Sequence, residues 1–175
     1  MKETDSIRPN PPPKRALDDT DRRLLGVLVE DAGLSYAELG RRVALSAPAV
    51  HERVKRLRRD GVIKGISARL DGKAIGKPLL VFVHVVTQNW GHSEALHEIA
   101  QLPEVEEMHS ATGDTSIILK LRLVDSEALE AMLRQIHALD SVVATKTFVT
   151  LSTYQERPIQ AEITADWPDP PRPKG

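Results

Sequence analysis

The chain has 175 residues, a hydrophobic fraction of 41%, a net charge of −1 and no cysteine. That length holds one domain or two small ones with a proper core, and the lack of thiols excludes both disulfide scaffolds and thiolate metal sites. The longest apolar run, 79–86, is interrupted by His84 and is far too short to span a bilayer.

The first seventeen residues are polar and proline-rich, with Pro11-Pro12-Pro13 followed by Lys14-Arg15. They predict a disordered arm over 1–16 with no signal peptide, in keeping with a cytoplasmic protein. Order is expected to begin at Asp18. Asp18 or Asp19 can cap a helix whose acidic first turn, including Asp21, suits the positive end of the helix dipole, and Leu24, Leu25 and Leu28 form its buried stripe. Asp31-Ala32-Gly33 ends it.

From Ser35 to Gly61 the pattern is two short helices joined by a tight turn. Ser35 and Glu38 have capping-box spacing, Leu39 and Val43 supply an apolar face, and Ala44-Leu45-Ser46 interrupts the run. Ser46 is placed to cap the next helix, whose first turn tolerates Pro48 because its early amides have no intrahelical partner. Val50, Val54 and Leu57 share one face of that helix, with His51, Glu52, Lys55, Arg56 and Arg59 elsewhere, and Gly61 is its natural stop. The three helices predict a core of Leu24, Leu28, Leu39, Val43, Leu45, Val50, Val54 and Leu57.

Charge follows the same boundaries. Residues 41–64 hold Arg41, Arg42, Arg53, Lys55, Arg56, Arg58, Arg59 and Lys64 against Glu52 and Asp60, a net of +6, so the remainder carries −7. A basic element coinciding with the second helix of a helix-turn-helix is the footprint of a module that binds the phosphates of a duplex. A run of charge on a solvated helix face is the plainer alternative.

Beyond Gly61, Val62-Ile63 and 66–70 read as an extended connector, with Asp71-Gly72 and Gly76-Lys77-Pro78 as turns. A second domain follows: strand 79–87, helix 93–101 with Leu96, Ile99 and Ala100 inward, strand 105–111, strand 115–123, helix 127–137 on a stripe of Leu129, Met132, Leu133 and Ile136, and strand 142–152. The order βαββαβ is ferredoxin-like. Ile99, Leu102 and Val105 recur as Ile136, Leu139 and Val142 at an offset of 37, a faint internal echo. A sheet with both helices on one face leaves its other face for a partner subunit.

Several motifs in order carry a family resemblance. Leu17-Asp18 with Asp21-Arg22, Leu45-Ser46 through Glu52-Arg53-Val54 and Arg56-Leu57, Asp60-Gly61-Val62-Ile63, Glu104-Val105 and Thr112-Gly113-Asp114 resemble signatures of the Lrp/AsnC (feast/famine) regulators. The resemblance runs from Leu17 to about Tyr154. It implies an α+β chain: a three-helix winged helix-turn-helix joined to a βαββαβ sensing domain. The expected organisation is a proline-rich arm 1–16, a DNA-binding domain 17–64, an extended linker 65–78, an effector-sensing and oligomerisation domain 79–155 and a proline-rich tail 156–175. The end of that tail, from Trp167, is expected to be unstructured.

The resemblance implies a transcriptional regulator that binds double-stranded DNA as a homodimer or an assembly of dimers, modulated by an amino acid or related small molecule, with no cofactor and no membrane partner. The recognition helix is expected at 47–60. Ala47, Pro48, Ala49, His51, Glu52 and Lys55 are best placed for base edges, and Arg53, Arg56 and Arg59 for phosphates. Residues 113–116 read locally as a hairpin turn in which the glycine supplies positive φ. The family implies instead a loop, Thr112, Gly113, Asp114, Thr115 and Ser116, that binds a free amino acid at the dimer interface. Here Thr115 and Ser116 stand where the family commonly has an aromatic residue and a second aspartate. The histidines of the second domain, His84, His92, His97 and His109, raise a sirohaem-decarboxylase-like enzyme as an alternative, but no catalytic or metal-ligand spacing supports it. An architectural DNA-binding protein without effector is the other alternative.

Overall fold

The computed structural model describes residues 16–88 and 94–166, and the chain divides into two compact units, residues 1–67 with 156–175 and residues 68–155. The arm before residue 16, His92, Ser93 at the start of the expected fourth helix and the tail from Trp167 lie outside the described residues.

Three helices build the first unit: α1 (Asp19–Glu30), α2 (Tyr36–Val43) and α3 (Ala47–Arg59). Each begins at a side-chain cap that satisfies an early amide. Asp18 rather than Asp19 caps α1, in a reciprocal box with Asp21; Ser35 and Glu38 form a second box on α2; Ser46 caps α3. Leu24, Leu39, Val43, Val50, Val54 and Leu57 are buried together, while Leu28 and Leu45 pack against them partly exposed.

The turn between α2 and α3 is tight for reasons the sequence does not announce. Ala44 adopts the left-handed conformation at φ 58°, a position usually given to glycine, and Leu45 N–H donates back to the Gly40 carbonyl at 2.9 Å. A Cβ on Gly40 would meet the Leu45 oxygen at 2.4 Å, so the close approach of the chain requires a glycine inside the helix. After α3, Gly61 has φ 74°. Val62 and Ile63 pack on the helical core, and residues 64–70 carry no regular secondary structure. The segment 156–166 returns to this unit: Arg22 Nη1 donates to the Ala161 carbonyl at 2.9 Å, and Glu162 Oε1 lies 2.6 Å from where a Cβ on Gly26 would be.

The second unit contains β1 (Leu79–Thr87), α4 (Glu94–Ala100), β2 (Val105–Ser110), β3 (Ile117–Leu123), α5 (Ser126–His137) and β4 (Val142–Val149). The strands form one antiparallel sheet in the order β2-β3-β1-β4. Val81, Val83 and Val85 of β1 and Ile117, Leu119, Leu121 and Leu123 of β3 alternate onto the face covered by Leu96, Ile99, Met132 and Ile136 of the helices. Strands β3 and β4 are shorter than their apolar patterns predict. Thr115 and Ser116 leave the ladder to bond β1 from the loop, and Leu151, 96% exposed, has no layer above it to reward pairing. α5 starts one residue earlier than expected because Asp125 caps it, accepting from Ala128 N–H at 2.8 Å.

Two rows cross the opposite face. One runs Phe148, Phe82, Lys120, Glu107 and the next runs Lys146, His84, Ile118, His109. The first half of each row is aromatic or cationic; towards β2 the face carries ion pairs, Lys120 bonding Glu106 and Glu107 at 3.1 Å and Arg122 bonding Glu106 at 2.7 Å.

Candidate nucleic-acid interface and ligand loop

α3 owes its placement to its apolar stripe: Val50, Val54 and Leu57 are at most 3% exposed, so the opposite side of the helix faces outward. Pro48, His51, Glu52, Lys55, Arg58 and Arg59 are exposed; Ala47, Ala49, Arg53 and Arg56 are half-buried. Glu52, Arg53, Lys55, Arg56 and Arg59 line an open recess of about 330 Å³ on this helix. His51 Nδ1 lies 3.5 Å from Glu52 Oε1, and Arg59 Nε donates to Asp60 at 3.1 Å.

Arg53 and Arg56 are engaged within the unit. Arg53 Nη1 donates to both Asp18 oxygens, at 2.8 and 3.0 Å, and to Asp21 Oδ1 at 2.7 Å. Arg56 Nη2 donates to the same Asp21 oxygen. Asp21 is 2% exposed, the one buried charged residue among those described. Burying a carboxylate demands paired cations, and two guanidinium groups supply them. The Arg53 hydrogen bond holds the Asp18 carboxyl below the usual carboxylate range, helped by the Asp21 amide, and Asp18 and then Asp21 raise Arg53 in turn. These contacts do not exhaust either arginine, because a guanidinium has five donors and only one nitrogen of each is used here.

Sequence reasoning assigned Arg53 and Arg56 to phosphates and missed this cluster, whose members lie 32 and 35 residues apart. One signal was present: Asp21 falls at i−3, i−4 and i−7 from Leu24, Leu25 and Leu28, so it shares their buried stripe and must find a partner there.

In the second unit, residues 111–116 connect β2 to β3. Ser116 N–H donates to the Val85 carbonyl and Ala111 N–H to the Ser116 carbonyl, both at 2.9 Å. Thr115 Oγ1 donates to Val85 O at 3.2 Å, and Ser116 Oγ accepts from Thr87 N–H at 3.1 Å. Thr115 and Ser116 thus anchor the loop to β1 and are half-buried, while Thr112, Gly113 and Asp114 project into solvent. Gly113 has φ 110°, where a Cβ would meet no atom within 4 Å, so backbone conformation alone calls for glycine.

Asp114 Oδ2 accepts from Lys146 Nζ at 2.7 Å with both side chains largely exposed, and that ammonium holds the carboxyl below its ordinary range. Beside this pair, His84 lies 5.0 Å from the Phe148 ring. His109 Nε2 contacts Glu107 at 2.9 Å. Among the described residues no group of three His, Asp or Glu side chains could hold a metal, and no helix is long and apolar enough to cross a membrane.

Residues 17–64 match the winged helix-turn-helix DNA-binding family and residues 80–160 match the Lrp/AsnC ligand-binding domain. The chain is 31% identical to the HTH-type transcriptional regulator FL11 of Pyrococcus furiosus over 80% of its own length and 93% of that protein's. It is 34% identical to the leucine-responsive regulatory protein of Escherichia coli, covering 82% of itself and 90% of the relative. Among solved structures, the transcriptional regulator NMB0573 of Neisseria meningitidis in complex with L-Met superposes with a TM-score of 0.74 at 25% identity, covering 81% of this chain and 94% of that one. These relatives are regulators of transcription rather than enzymes, and this chain, with a DNA-binding helix-turn-helix ahead of a ligand-binding domain, belongs to the Lrp/AsnC family of transcriptional regulators.

Proposed function

We propose that the regulator reads operator DNA with α3 as a dimer or higher assembly and takes a free amino acid at the 112–116 loop where two second units meet. The observation that carries the effector half is the Asp114–Lys146 pair, a carboxylate and an ammonium 2.7 Å apart on an exposed rim. An α-amino acid offers the complementary pair of charges: its ammonium suits Asp114 and its carboxylate suits Lys146. The methionine complex of the similar Neisseria regulator favours this ligand class. Thr112 and Gly113 line the approach, and Thr115 and Ser116 hold the loop to β1.

For the DNA half, Lys55 and Arg59 neutralise phosphates. Arg53 and Arg56 reach phosphates with the nitrogens turned away from Asp18 and Asp21, held at fixed positions by those carboxylates. Ala47, Pro48, Ala49, His51 and Glu52 approach base edges. A second copy covers the open sheet face. Phe148 is 52% exposed in the single chain beside Phe82, and an aromatic pair flanked by charges suits a self-complementary contact.

A thermal-shift screen of the twenty amino acids tests the effector, since a ligand of the folded state raises its melting temperature. Asp114→Ala should abolish the shift while keeping the fold and DNA affinity; unaltered calorimetric affinity in that variant would place the ligand elsewhere. A footprint indifferent to all twenty would favour an architectural DNA binder. Phe148→Asp should convert the assembly to monomers in sedimentation.

A further inference from the structure

Tyr36 has no evident role in folding. It is the first residue of α2, is 38% exposed, and is absent from the buried cluster of the helical unit. Its ring instead lies on α3: the centroids of Tyr36 and His51 are 5.3 Å apart with the planes tilted by 57°. That distance and tilt fall within the range in which the positive edge of one ring meets the negative face of another. His51 is half exposed and stands on the outward side of α3, away from Val50, Val54 and Leu57.

An imidazole in that position can donate or accept at a base edge, but as a side chain free in water it would lose rotamer entropy each time it did so. A neighbouring ring from the other helix of the motif removes part of that cost by holding the imidazole in one place before DNA arrives. Glu52 alone does not do this, since its contact with His51 Nδ1 is 3.5 Å long and 71% of its side chain is exposed.

We infer that Tyr36 is a specificity-determining residue that acts through His51: its ring braces the imidazole in the orientation that reads a base pair in the major groove. The inference rests on the reading of α3 as the recognition helix. It assigns discrimination at one position of each half-site to a residue pair drawn from both helices of the motif. The hydroxyl of Tyr36 is not needed for bracing, and a neutral side chain releases no counterions, so the salt dependence of binding is independent of it.

The test uses the full chain and duplexes selected by the wild-type protein from a pool with a randomised 30-base-pair centre, followed by every single-base variant of the tightest duplex, with affinities read by fluorescence anisotropy at fixed salt. His51→Ala should lower discrimination at one base pair per half-site by roughly fivefold or more. Tyr36→Ala should lower it at the same base pair with the salt slope unchanged, and the double variant should lose no more than His51→Ala alone. Tyr36→Phe should retain wild-type preference and, with the same melting temperature, control for folding.

Wild-type preference in Tyr36→Ala at the His51-dependent position, loss at a different position, additive losses in the double variant, or a Tyr36→Phe protein as relaxed as Tyr36→Ala would each overturn the inference. Wild-type preference at every position in His51→Ala would overturn it too. Failure of the broader reading looks different: no duplex is enriched, or Lys55→Ala with Arg59→Ala leaves affinity and salt slope unchanged.

Discussion

The two units of this chain solve the same stability problem with different means. The helical unit buries six apolar side chains among its described residues and adds a buried carboxylate clamped by two arginines, whereas the sheet unit buries twelve, eleven of them in one cluster, and places its charges on an open face. A small core gains little from apolar area alone, so the helical unit relies on caps, a tight turn and one polar cluster that joins α1 to α3. The sheet unit buries one face under its helices and leaves the other open. The proposed function follows the same contrast: in it the ion pairs of the first unit orient the DNA-reading surface, while the surface proposed for partner and ligand in the second is the one the core left uncovered.

Equal insults should therefore have unequal consequences. Leu57→Ala and Leu119→Ala each remove a fully buried leucine and should each cost about 3 kcal/mol. The first should abolish DNA binding by melting the helical unit, and the second should leave the helical amides protected; hydrogen exchange on the full chain separates them, and equal loss of protection everywhere would erase the distinction. Next in size is the polar cluster. Asp21→Asn, which keeps shape but removes the charge that Arg53 and Arg56 share, should cost about 2 kcal/mol in urea unfolding of the helical unit. A neutral result would mean that the cluster orients α3 without stabilising it. Gly40→Ala should cost about 1–3 kcal/mol in the same unit, because the new methyl meets backbone at the turn.

Smaller effects sharpen the contrast further. Gly113→Ala should cost about 1 kcal/mol in the sheet unit through backbone conformation alone, with no clash to relieve. Acid should reach both units. The carboxyl of Asp18 is lowered chiefly by its Arg53 hydrogen bond and that of Glu107 chiefly by its His109 hydrogen bond and then Lys120. For a lowered carboxyl the stabilisation is present above the unfolded value, about 4, and is lost as pH falls through the folded one. Asp18→Asn, which retains the cap, should flatten the loss of helical structure below about pH 4, and Glu107→Gln should flatten that of the sheet. Circular dichroism against pH checks both, and an unchanged acid limb in Asp18→Asn would assign the effect to other carboxylates.

The residues that were legible in advance are those whose reasons are local. Asp18, Ser35 and Ser46 cap helices through bonds to an amide three residues on, and 79–87 and most of 115–123 are short β-rich runs bounded by turn residues, so these elements could be read directly. Where a reading went past its element, as with 150–152 after β4, Thr150 N–H still donates to the Leu80 carbonyl at 3.0 Å, but Leu151 beyond it is exposed and packs on nothing that would extend the strand. The basic face of α3 was legible as charge. What each of its arginines does was not.

The amino-acid sequence by itself determined the helix-turn-helix, the βαββαβ order, the basic helix and the glycine turn after β2, because each depends on spacings of two to four residues or on composition. Only the tertiary structure decided that Arg53 and Arg56 close on Asp21, that Asp114 meets Lys146, that Tyr36 lies against His51, and that Ala44 takes a left-handed turn. Those outcomes depend on how α1 crosses α3, on the register that brings β4 beside β1, and on how closely the chain passes Gly40, and such distances arise from packing many side chains at once rather than from any one residue's preference.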